Sequence, residues 1–166
     1  MNPFPDNGKR VAIVGAGPAG LSAAYFMAAL GYTCEVFDQH PEPGGVLRWG
    51  IPNFRLPAYI LKNEIQRIER RGVRIHCQKS VAQDFLNNEK GRFDAIVMAC
   101  GHTKPLKMKI LGAGKAIEGL EFLHQFRKNQ TSGFRGSSAV IGGGNTAVDV
   151  ARSLVRAGIN PIWVYR

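Results

Sequence analysis

The residues whose types and spacing point to chemistry lie near the start of the chain, in a glycine-rich segment at residues 15–20. An apolar run at residues 11–14 precedes it, and a stretch rich in alanine and leucine follows it as far as Gly31. This order predicts a strand, a tight turn and a helix whose N-terminal N–H groups bind a pyrophosphate. The candidate residues of the turn are Gly15, Ala16, Gly17, Pro18, Ala19 and Gly20.

Each glycine of this turn has a mechanical reason. Gly15 permits the sharp bend out of the strand, Gly17 leaves room for a phosphate at the backbone, and Gly20 lets helix and strand pack closely. Asp38 follows 23 residues after Gly15, at the end of a second predicted strand. Its carboxylate is placed to accept hydrogen bonds from a ribose diol. The strand, the helix and the acid together make the glycine pattern a strong signal for a dinucleotide.

A second copy of this pattern lies at the carboxyl-terminal end of the sequence. A strand-like run at residues 139–141 leads into a glycine turn at 142–147, and a predicted helix then extends to about Ala157. A further strand-like run at residues 162–165 is followed by Arg166. The candidate residues of the second turn are Gly142, Gly144, Asn145, Thr146 and Ala147.

The residues at the tips of the two second strands differ in charge. Aligning the copies with one extra residue in the second places Arg166 opposite Asp38. A carboxylate there suits free ribose hydroxyls and would repel a 2′-phosphate by roughly 4 kcal/mol at 4 Å in a near-surface dielectric, before screening by solvent. A guanidinium would instead bind the phosphate. The first copy is therefore predicted to bind FAD and the second NADPH.

Composition argues against several classes of function. The chain of 166 residues has a formal net charge of +10, which suits phosphate-bearing ligands, but no motif for nucleic acid accompanies it. The cysteines Cys34, Cys77 and Cys100 form no CxxC pair, so we expect neither a disulfide framework nor a metal site. The sequence starts without the apolar core of a signal peptide, and no apolar run approaches the ~20 residues that span a bilayer. We therefore expect a cytoplasmic protein with no membrane or nucleic-acid partner.

The sequence between the two copies contains further predicted elements. Residues 39–57 are rich in proline and glycine, which predicts a loop. An apolar stripe with helical spacing predicts a helix over residues 57–72. Residues 73–76 and 93–99 are predicted to form strands, the second of them buried, and residues 120–128 a helix.

Four segments of the sequence together resemble one family. They are VAIVGAGPAGL at 11–21, EPGGVLRWGIPNFRLP at 42–57, ACG at 99–101 and VIGGGNTAVDVAR at 140–152. They resemble the small (beta) subunit of NADPH-dependent glutamate synthase, an FAD and NADPH oxidoreductase, and the matching region of dihydropyrimidine dehydrogenase. The resemblance covers nearly the whole chain, from about residue 8 to 166, and the segment at 42–57 is its most specific part.

The resemblance implies an α/β architecture with Rossmann-like parallel sheets. An FAD-binding domain of the two-dinucleotide-binding type would carry the start of an inserted NADPH-binding domain. Residues 1–133 would be an incomplete FAD-binding domain, and residues 134–166 the first, truncated βαβ unit of the NADPH-binding domain. The family's cysteine-rich iron–sulfur segment and the returning part of its FAD domain have no match here, so we expect a fragment or one part of a split protein.

The resemblance also assigns residues to the cofactor. The double-glycine loop would wrap the flavin, and Arg55 would point at the flavin, where its charge would stabilise the reduced ring. Val81 would meet the adenine through its backbone. The family usually has threonine at the position of Cys100 and glutamate at the position of Asp38. The other implied contacts are Gly45, Val46, Leu47, Ala99 and Gly101.

Two classes of function follow from this pattern. As an enzyme, the protein would pass hydride from NADPH to FAD and electrons onward to an iron–sulfur protein or domain, with no proton-transferring side chain required. As a non-catalytic module, it would be an FAD- or nucleotide-binding fragment that needs a complementary chain. A flavin monooxygenase, which uses similar glycine turns, is disfavoured by the segment at 42–57. The histidines are isolated and are predicted to be structural or surface residues: His40, His76, His102 and His124.

Overall fold

The computed structural model describes residues 4–81, 91–102, 112–130 and 134–165. These residues form two compact units. The first unit contains the described residues up to 48 and from 58 to 102, and the second contains residues 49–57 and the described residues after 102. The domain boundary that the sequence suggests between residues 133 and 134 stays a prediction.

The first unit is a parallel α/β unit. Its elements, in chain order, are β1 (Arg10–Val14), α1 (Pro18–Ala29), β2 (Thr33–Phe37), α2 (Val46–Trp49, whose last residue is counted with the second unit), α3 (Ala58–Glu69), β3 (Arg74–His76) and β4 (Ala95–Met98). The four strands form one sheet in the order β3-β2-β1-β4, and every pairing is parallel. Helix α1 connects β1 to β2 and packs against both strands. The turn between β1 and α1 therefore joins a buried strand to a helix that is packed on the sheet.

The strands β1 and β2 are buried because they carry apolar side chains on both faces. Val11, Ile13 and Val36 are each at most 1% exposed, and Leu21 of α1 belongs to the same core. Helix α1 begins at Pro18, earlier than the sequence suggests, because the fixed φ of proline favours the first position of a helix. The first turn of the helix thus overlaps the glycine segment itself.

The prediction of a buried strand at residues 93–99 is wrong in its burial. Strand β4 forms, but Ile96 is 38% exposed and Met98 is 61% exposed. Within the described residues β4 pairs only with β1, so it is an edge strand of this sheet. An apolar run identifies a strand, and it does not say whether another layer covers it.

The prediction that residues 39–57 form a loop with no regular element is wrong at one place. The loop contains the single helical turn α2, whose start is held by two backbone hydrogen bonds between residues three apart. Leu47 N–H donates to Gly44 O (3.1 Å), and Arg48 N–H donates to Gly45 O (2.9 Å). Both glycines have positive φ, so they set the chain direction that lets the turn form.

The second unit repeats the strand–helix–strand order. Its elements are a 3-10 turn (Ala113–Lys115), α4 (Gly119–Arg127), β5 (Ser137–Ile141), α5 (Asn145–Arg156) and β6 (Asn160–Val164). Strands β5 and β6 pair in parallel, and α4 packs on α5. The core of this unit comprises Phe122, Leu123, Val140, Val150, Leu154 and Ile159.

Both units therefore have the Rossmann-like, parallel α/β architecture that the sequence predicts, which confirms the fold class. Each contains a strand, a glycine turn, a helix and a second parallel strand in the same order. Over the described ranges, no helix combines the length and the apolar character needed to cross a bilayer.

Candidate functional site

The first glycine turn is fixed by the bend at Gly15. Its φ is +107°, and its N–H donates to Phe37 O at the end of β2 (2.8 Å). A Cβ on this residue would lie 2.3 Å from Ala99 O, where no side chain fits. The turn therefore accepts only glycine here, both for its backbone conformation and for its contact with the end of β4.

The third glycine of the turn is set by close packing. A Cβ on Gly20 would lie 1.9 Å from Gly15 O, which is a backbone atom that cannot move aside. Gly17, the residue before α1, is in a different situation, because the nearest atom to its added Cβ is Gly45 Cα at 3.9 Å. Gly17 also leaves the helix without a side-chain cap. The N-terminus of α1 thus has open space and N–H groups that a phosphate can use.

The double-glycine loop packs directly on this turn. Gly44 N–H donates to Ala16 O (2.8 Å), and a Cβ on Gly45 would lie 2.7 Å from Gly17 Cα. Of the residues assigned to the flavin by resemblance, Val46 is 40% exposed, and Leu47 packs against the core of the first unit. The loop and the turn therefore form one continuous backbone surface. Whether these residues touch a flavin stays a prediction.

Asp38 is buried at the tip of β2, 8% exposed, and its carboxylate holds the turn in place. Oδ2 accepts a hydrogen bond from Ala16 N–H (2.6 Å), and Oδ1 accepts one from His40 N–H (2.8 Å). The His40 ring also lies on this carboxylate, with Nδ1 2.8 Å from Oδ1. A carboxylate has about four lone-pair positions, so acceptor capacity for a sugar hydroxyl is left. Asp38 thus holds the glycine turn by a hydrogen bond and still has acceptor positions for a ligand at the tip of β2.

Sequence reasoning missed the part that His40 plays, because it treated this histidine as isolated. The signal was present in the spacing Asp-x-His. An aspartate often accepts a hydrogen bond from the backbone two residues later, which closes an Asx turn. His40 extends that turn with its ring.

A small cavity of about 150 Å³ opens beside Asp38. Its wall brings together four of the predicted residues, Gly15, Asp38, Val81 and Cys100, with Lys79 beside them. Cys100 is exposed, and its backbone follows directly on Ala99, whose N–H donates to Val14 O (2.8 Å). Gly101 has a φ of +74° and open space around it.

A buried acid in β2 was also missed by the sequence analysis. Glu35 is 1% exposed, and the side chains of two arginines and one histidine surround its carboxylate. Arg10 Nη2 and His76 Nε2 each lie 2.9 Å from it, and Arg92 Nη2 lies 2.8 Å from it. Burial raises the pKa of Glu35, but hydrogen bonds from two of these partners and the charge of the third outweigh burial and leave the pKa below its ordinary value. A charge inside an otherwise apolar strand was the available signal.

The second glycine turn has the same bend with fewer contacts. Gly142 has a φ of +135°, and its N–H donates to Val164 O (2.9 Å), as Gly15 does to the end of β2. A Cβ on Gly142 would meet the Cβ of Ala147 at 3.6 Å, an ordinary contact. A Cβ on Gly144 would meet nothing within 4 Å, and α5 starts there without a side-chain cap. The predicted residues Asn145 and Thr146 form the first turn of α5.

The strand registers correct the alignment of the two copies. Val14 lies opposite Phe37 in the first unit and Ile141 lies opposite Val164 in the second, a separation of 23 residues in both. No extra residue is present in the second copy. The position of Asp38 is therefore taken by Tyr165, and Arg166 comes one residue later. Arg166 itself lies outside the described residues.

Arg55, assigned to the flavin by resemblance, belongs to the second unit. Its Nη1 lies 2.7 Å from Oδ2 of Asp149, a side chain of α5 that is 6% exposed. The residue before Arg55, Phe54, also contacts α5: the guanidinium carbon of Arg156 lies 3.8 Å from the centroid of the Phe54 ring. Within the described residues, the second carboxylate oxygen of Asp149 and the hydroxyl of Ser153 have no hydrogen-bond partner. A contact of Arg55 with a flavin stays a prediction.

Comparison with known protein families gives one match over almost the whole sequence. Residues 9–166 match the family model described as pyridine nucleotide-disulphide oxidoreductase. The match includes both glycine turns and the segment between them.

Curated relatives extend this match. The chain is 41% identical to the NADP(+)-dependent formate dehydrogenase subunit beta of Moorella thermoacetica, over 96% of this chain and 24% of the relative. It is 37% identical to the NADPH-Fe(3+) oxidoreductase subunit beta of Geobacter sulfurreducens, over 95% of this chain and 25% of the relative. It is 38% identical to the NAD-dependent dihydropyrimidine dehydrogenase subunit PreT of Salmonella typhimurium, over 87% and 36%. The chain thus spans about a quarter to a third of these relatives.

Solved structures agree on the fold. A 2-naphthoyl-CoA reductase matches with a TM-score of 0.78 and 21% identity, covering 98% of this chain and 24% of that one. FprA from Mycobacterium tuberculosis in complex with NADPH matches with a TM-score of 0.71 and 23% identity, covering 90% and 36%. At these identities the likeness concerns the fold alone.

Proposed function

The chain belongs to the pyridine nucleotide-disulphide oxidoreductase family, and from this premise we propose that it binds FAD at its first glycine turn and NADPH at its second. We propose further that it passes electrons from NADPH through FAD to an iron–sulfur partner or domain. Family membership supports the oxidoreductase class and both cofactors. The observation that carries the proposal is the repeated parallel strand–turn–helix unit, in which each helix starts at an open, uncapped glycine.

The first turn fits the pyrophosphate of FAD. Gly17 leaves open space in front of the N-terminus of α1, and the first turn of that helix contains no acidic residue that would repel a phosphate. The residues that would hold the pyrophosphate are those of the turn, from Gly15 to Gly20. Their backbone is fixed before the ligand arrives, because Asp38 and Gly44 already bond to the peptide groups of Ala16. Such preorganisation lowers the conformational cost of binding.

The cavity beside the turn fits the adenosine half of FAD. Asp38 supplies acceptor oxygens for the ribose hydroxyls, and Val81 lies in the wall where the resemblance places the adenine. Lys79 adds a positive charge to the same wall. Cys100 and Gly15, a residue of the glycine turn itself, also line this cavity.

The second turn fits the pyrophosphate of NADPH. Gly144 has no neighbour within 4 Å of an added Cβ, and α5 begins without an acidic residue in its first turn. The residues that would hold the nucleotide are those from Gly142 to Ala147. Arg166, close after β6 in the sequence, would place a guanidinium near the 2′-phosphate.

The protein's part in the chemistry is to position two cofactors. When bound, FAD accepts hydride from NADPH and releases electrons one at a time. The backbone N–H groups of the two turns would bind and orient the nucleotides, and no proton-transferring residue is proposed. The iron–sulfur acceptor and the likeness to glutamate synthase rest on the resemblance carried by the four segments, of which the one at 42–57 is the most specific. A complementary chain is supported by the relatives, three of which are named as subunits.

The proposal is tested by flavin absorbance in the purified protein under anaerobic conditions. We expect a yellow protein whose flavin absorbance is bleached by NADPH, and more slowly by NADH at the same concentration. A protein that stays colourless with added FAD, alone and with a complementary chain, would contradict the FAD site. A colourless protein that gains FAD only with a second polypeptide would favour the binding-module function. Equal bleaching rates with NADPH and NADH would remove the argument from Arg166.

A further inference from the structure

A side chain of the helical turn α2 folds back over the two glycines that precede this turn. Arg48 Nε donates to the carbonyl oxygen of Pro43, five residues earlier in the chain (2.6 Å), and Nη1 of the same guanidinium forms an ion pair with Glu42. The Arg48 side chain is 15% exposed, so most of it packs against the protein. The guanidinium therefore closes the segment from residue 42 to residue 48 into a ring. We call these three groups, Arg48, Pro43 O and the Glu42 carboxylate, the arginine clamp.

The segment inside the arginine clamp has a backbone that side-chain contacts must hold. Gly44 and Gly45 have φ values of +129° and +52°, and glycine loses more conformational freedom on folding than any other residue. An added Cβ on Gly44 would lie 2.8 Å from Cδ2 of Leu61 and 3.0 Å from Cβ of Arg48. Arg48 thus packs against the same glycine that its guanidinium encloses.

The clamped segment packs on the first glycine turn. Gly44 N–H donates to Ala16 O (2.8 Å), and an added Cβ on Gly45 would lie 2.7 Å from Gly17 Cα. The space in front of the N-terminus of α1 therefore has the double-glycine loop as one of its neighbours. A movement of the loop would change the shape of this space, which is where the pyrophosphate of FAD is proposed to bind.

We propose that Arg48 is a positioning residue for FAD, which holds the double-glycine loop against the glycine turn before the cofactor arrives. The proposal rests on the FAD site proposed above. A loop that is already fixed loses little freedom when the ligand binds, so the arginine clamp raises the affinity without contacting the cofactor. The resemblance assigns this loop to the flavin. The effect should therefore fall on FAD and not on ADP, which has the same adenosine and phosphate groups but no flavin.

Three substitutions in the full chain test this role. Arg48→Ala removes the clamp, and Arg48→Lys keeps a positive charge for Glu42 but lacks the planar fork that reaches both partners. The matched control is Arg67→Ala, which removes an exposed arginine that pairs with Glu64 of the same helix. Dissociation constants of FAD and of ADP are measured by isothermal titration calorimetry, without turnover. The thermal unfolding temperature shows whether each variant is folded.

We expect Arg48→Ala to weaken FAD about tenfold, which is the size of one hydrogen bond from a charged donor, and to leave ADP within about twofold of wild type. Arg48→Lys should weaken FAD about threefold, because it retains only part of the clamp. Arg67→Ala should leave both dissociation constants within about twofold, since its ion pair is exposed. A residue that only stabilised the fold would not change the ratio of the two affinities.

Each other outcome contradicts a particular statement. A folded Arg48→Ala protein that binds FAD as tightly as wild type would overturn the proposal for Arg48 and leave the FAD site intact. Equal losses of FAD and ADP affinity would also overturn it, because Arg48 would then support the glycine turn itself. Wild-type protein that binds neither ligand would contradict the FAD site, and the proposal with it. Should Arg48→Ala fail to fold, wild-type FAD affinity in Arg48→Lys would overturn the proposal.

Discussion

The two glycine turns follow the same backbone path but differ in how closely the surrounding protein packs against their glycines. In both, the first glycine has positive φ and donates its N–H to the end of the neighbouring strand. In the first turn, side chains added at Gly15 or Gly20 would lie 2.3 Å and 1.9 Å from backbone oxygens. In the second, Gly142 and Gly144 have no atom closer than 3.6 Å to an added Cβ.

A glycine in such a motif can be required by packing within the protein or by the approach of a ligand, and the motif alone does not distinguish these two reasons. In the first turn, glycine is required by packing within the protein, against the end of β4 and within the turn itself. In the second turn, the motif already carries Ala147 at the third position, where the first has Gly20. An added Cβ would meet only Gly45 Cα, at 3.9 Å, on Gly17 and nothing within 4 Å on Gly144, so neither glycine is required by close packing within the protein.

The largest effect is expected from a side chain at the most crowded glycine. Gly20→Ala places a Cβ 1.9 Å from Gly15 O, so helix α1 must shift away from the strand. We expect a loss of about 3 kcal/mol or more in the free energy of unfolding, measured by urea denaturation. The matched change is Ala147→Gly in the second turn, which should cost only about 0.5–1 kcal/mol. Equal costs at the two positions would remove the distinction between the turns.

An intermediate effect is expected from the buried acid of the first unit. Glu35 is buried with two arginine partners and one histidine partner, whereas its counterpart in the register of the second unit, Ile162, is 55% exposed. Glu35→Gln should lower the free energy of unfolding at pH 7 by about 2 kcal/mol, below the range for fully buried pairs because the partners are partly exposed. The control is Glu64→Gln, which breaks an exposed pair with Arg67 and should cost under about 0.5 kcal/mol.

The stability that Glu35 contributes should depend on pH in a defined direction. Its pKa in the folded protein is lowered, so the contribution is fully present above the unfolded pKa of about 4.3 and is lost as pH falls through the folded pKa. The stability difference between the wild-type protein and Glu35→Gln should therefore be constant from pH 7 down to the unfolded pKa and should shrink as the pH falls below it. A difference that does not shrink on acidification below the unfolded pKa would show that the carboxylate charge is not the cause.

The sequence predicted the parallel α/β architecture and the sharp bends because these depend on local residue types. Gly15 and Gly142 have the conformations that their motifs require. Sequence reasoning failed where an outcome depended on a neighbour far along the chain. The three partners of Glu35 come from two other strands and from the residue stretch before β4. The exposure of β4 and the contact of Gly45 with Gly17 are likewise set by tertiary packing.

One error in the predicted site came from the alignment of the two copies and not from an unforeseen tertiary contact. The charge contrast between Asp38 and Arg166 suggested an extra residue in the second copy, and the equal spacing of Gly31 and Gly158 from their turns argued for none. The strand pairing fixes the register and gives Tyr165 the place of the acid. Two sequences that repeat a fold element are therefore best aligned by their spacing, and only then by the chemistry of single residues.

The two turns are proposed to bind two different nucleotides, each through the absence of a side chain at one glycine. FAD content and NADP⁺ affinity in Gly17→Ala and Gly144→Ala test this proposal. Both residues have extended backbones that alanine adopts, and an added Cβ meets no atom closer than 3.9 Å, so stability should change by less than about 0.5 kcal/mol. Gly17→Ala should lose FAD and keep an NADP⁺ dissociation constant within about twofold of wild type, and Gly144→Ala should keep FAD and lose NADP⁺. Two folded variants that both retain both nucleotides would contradict the claim.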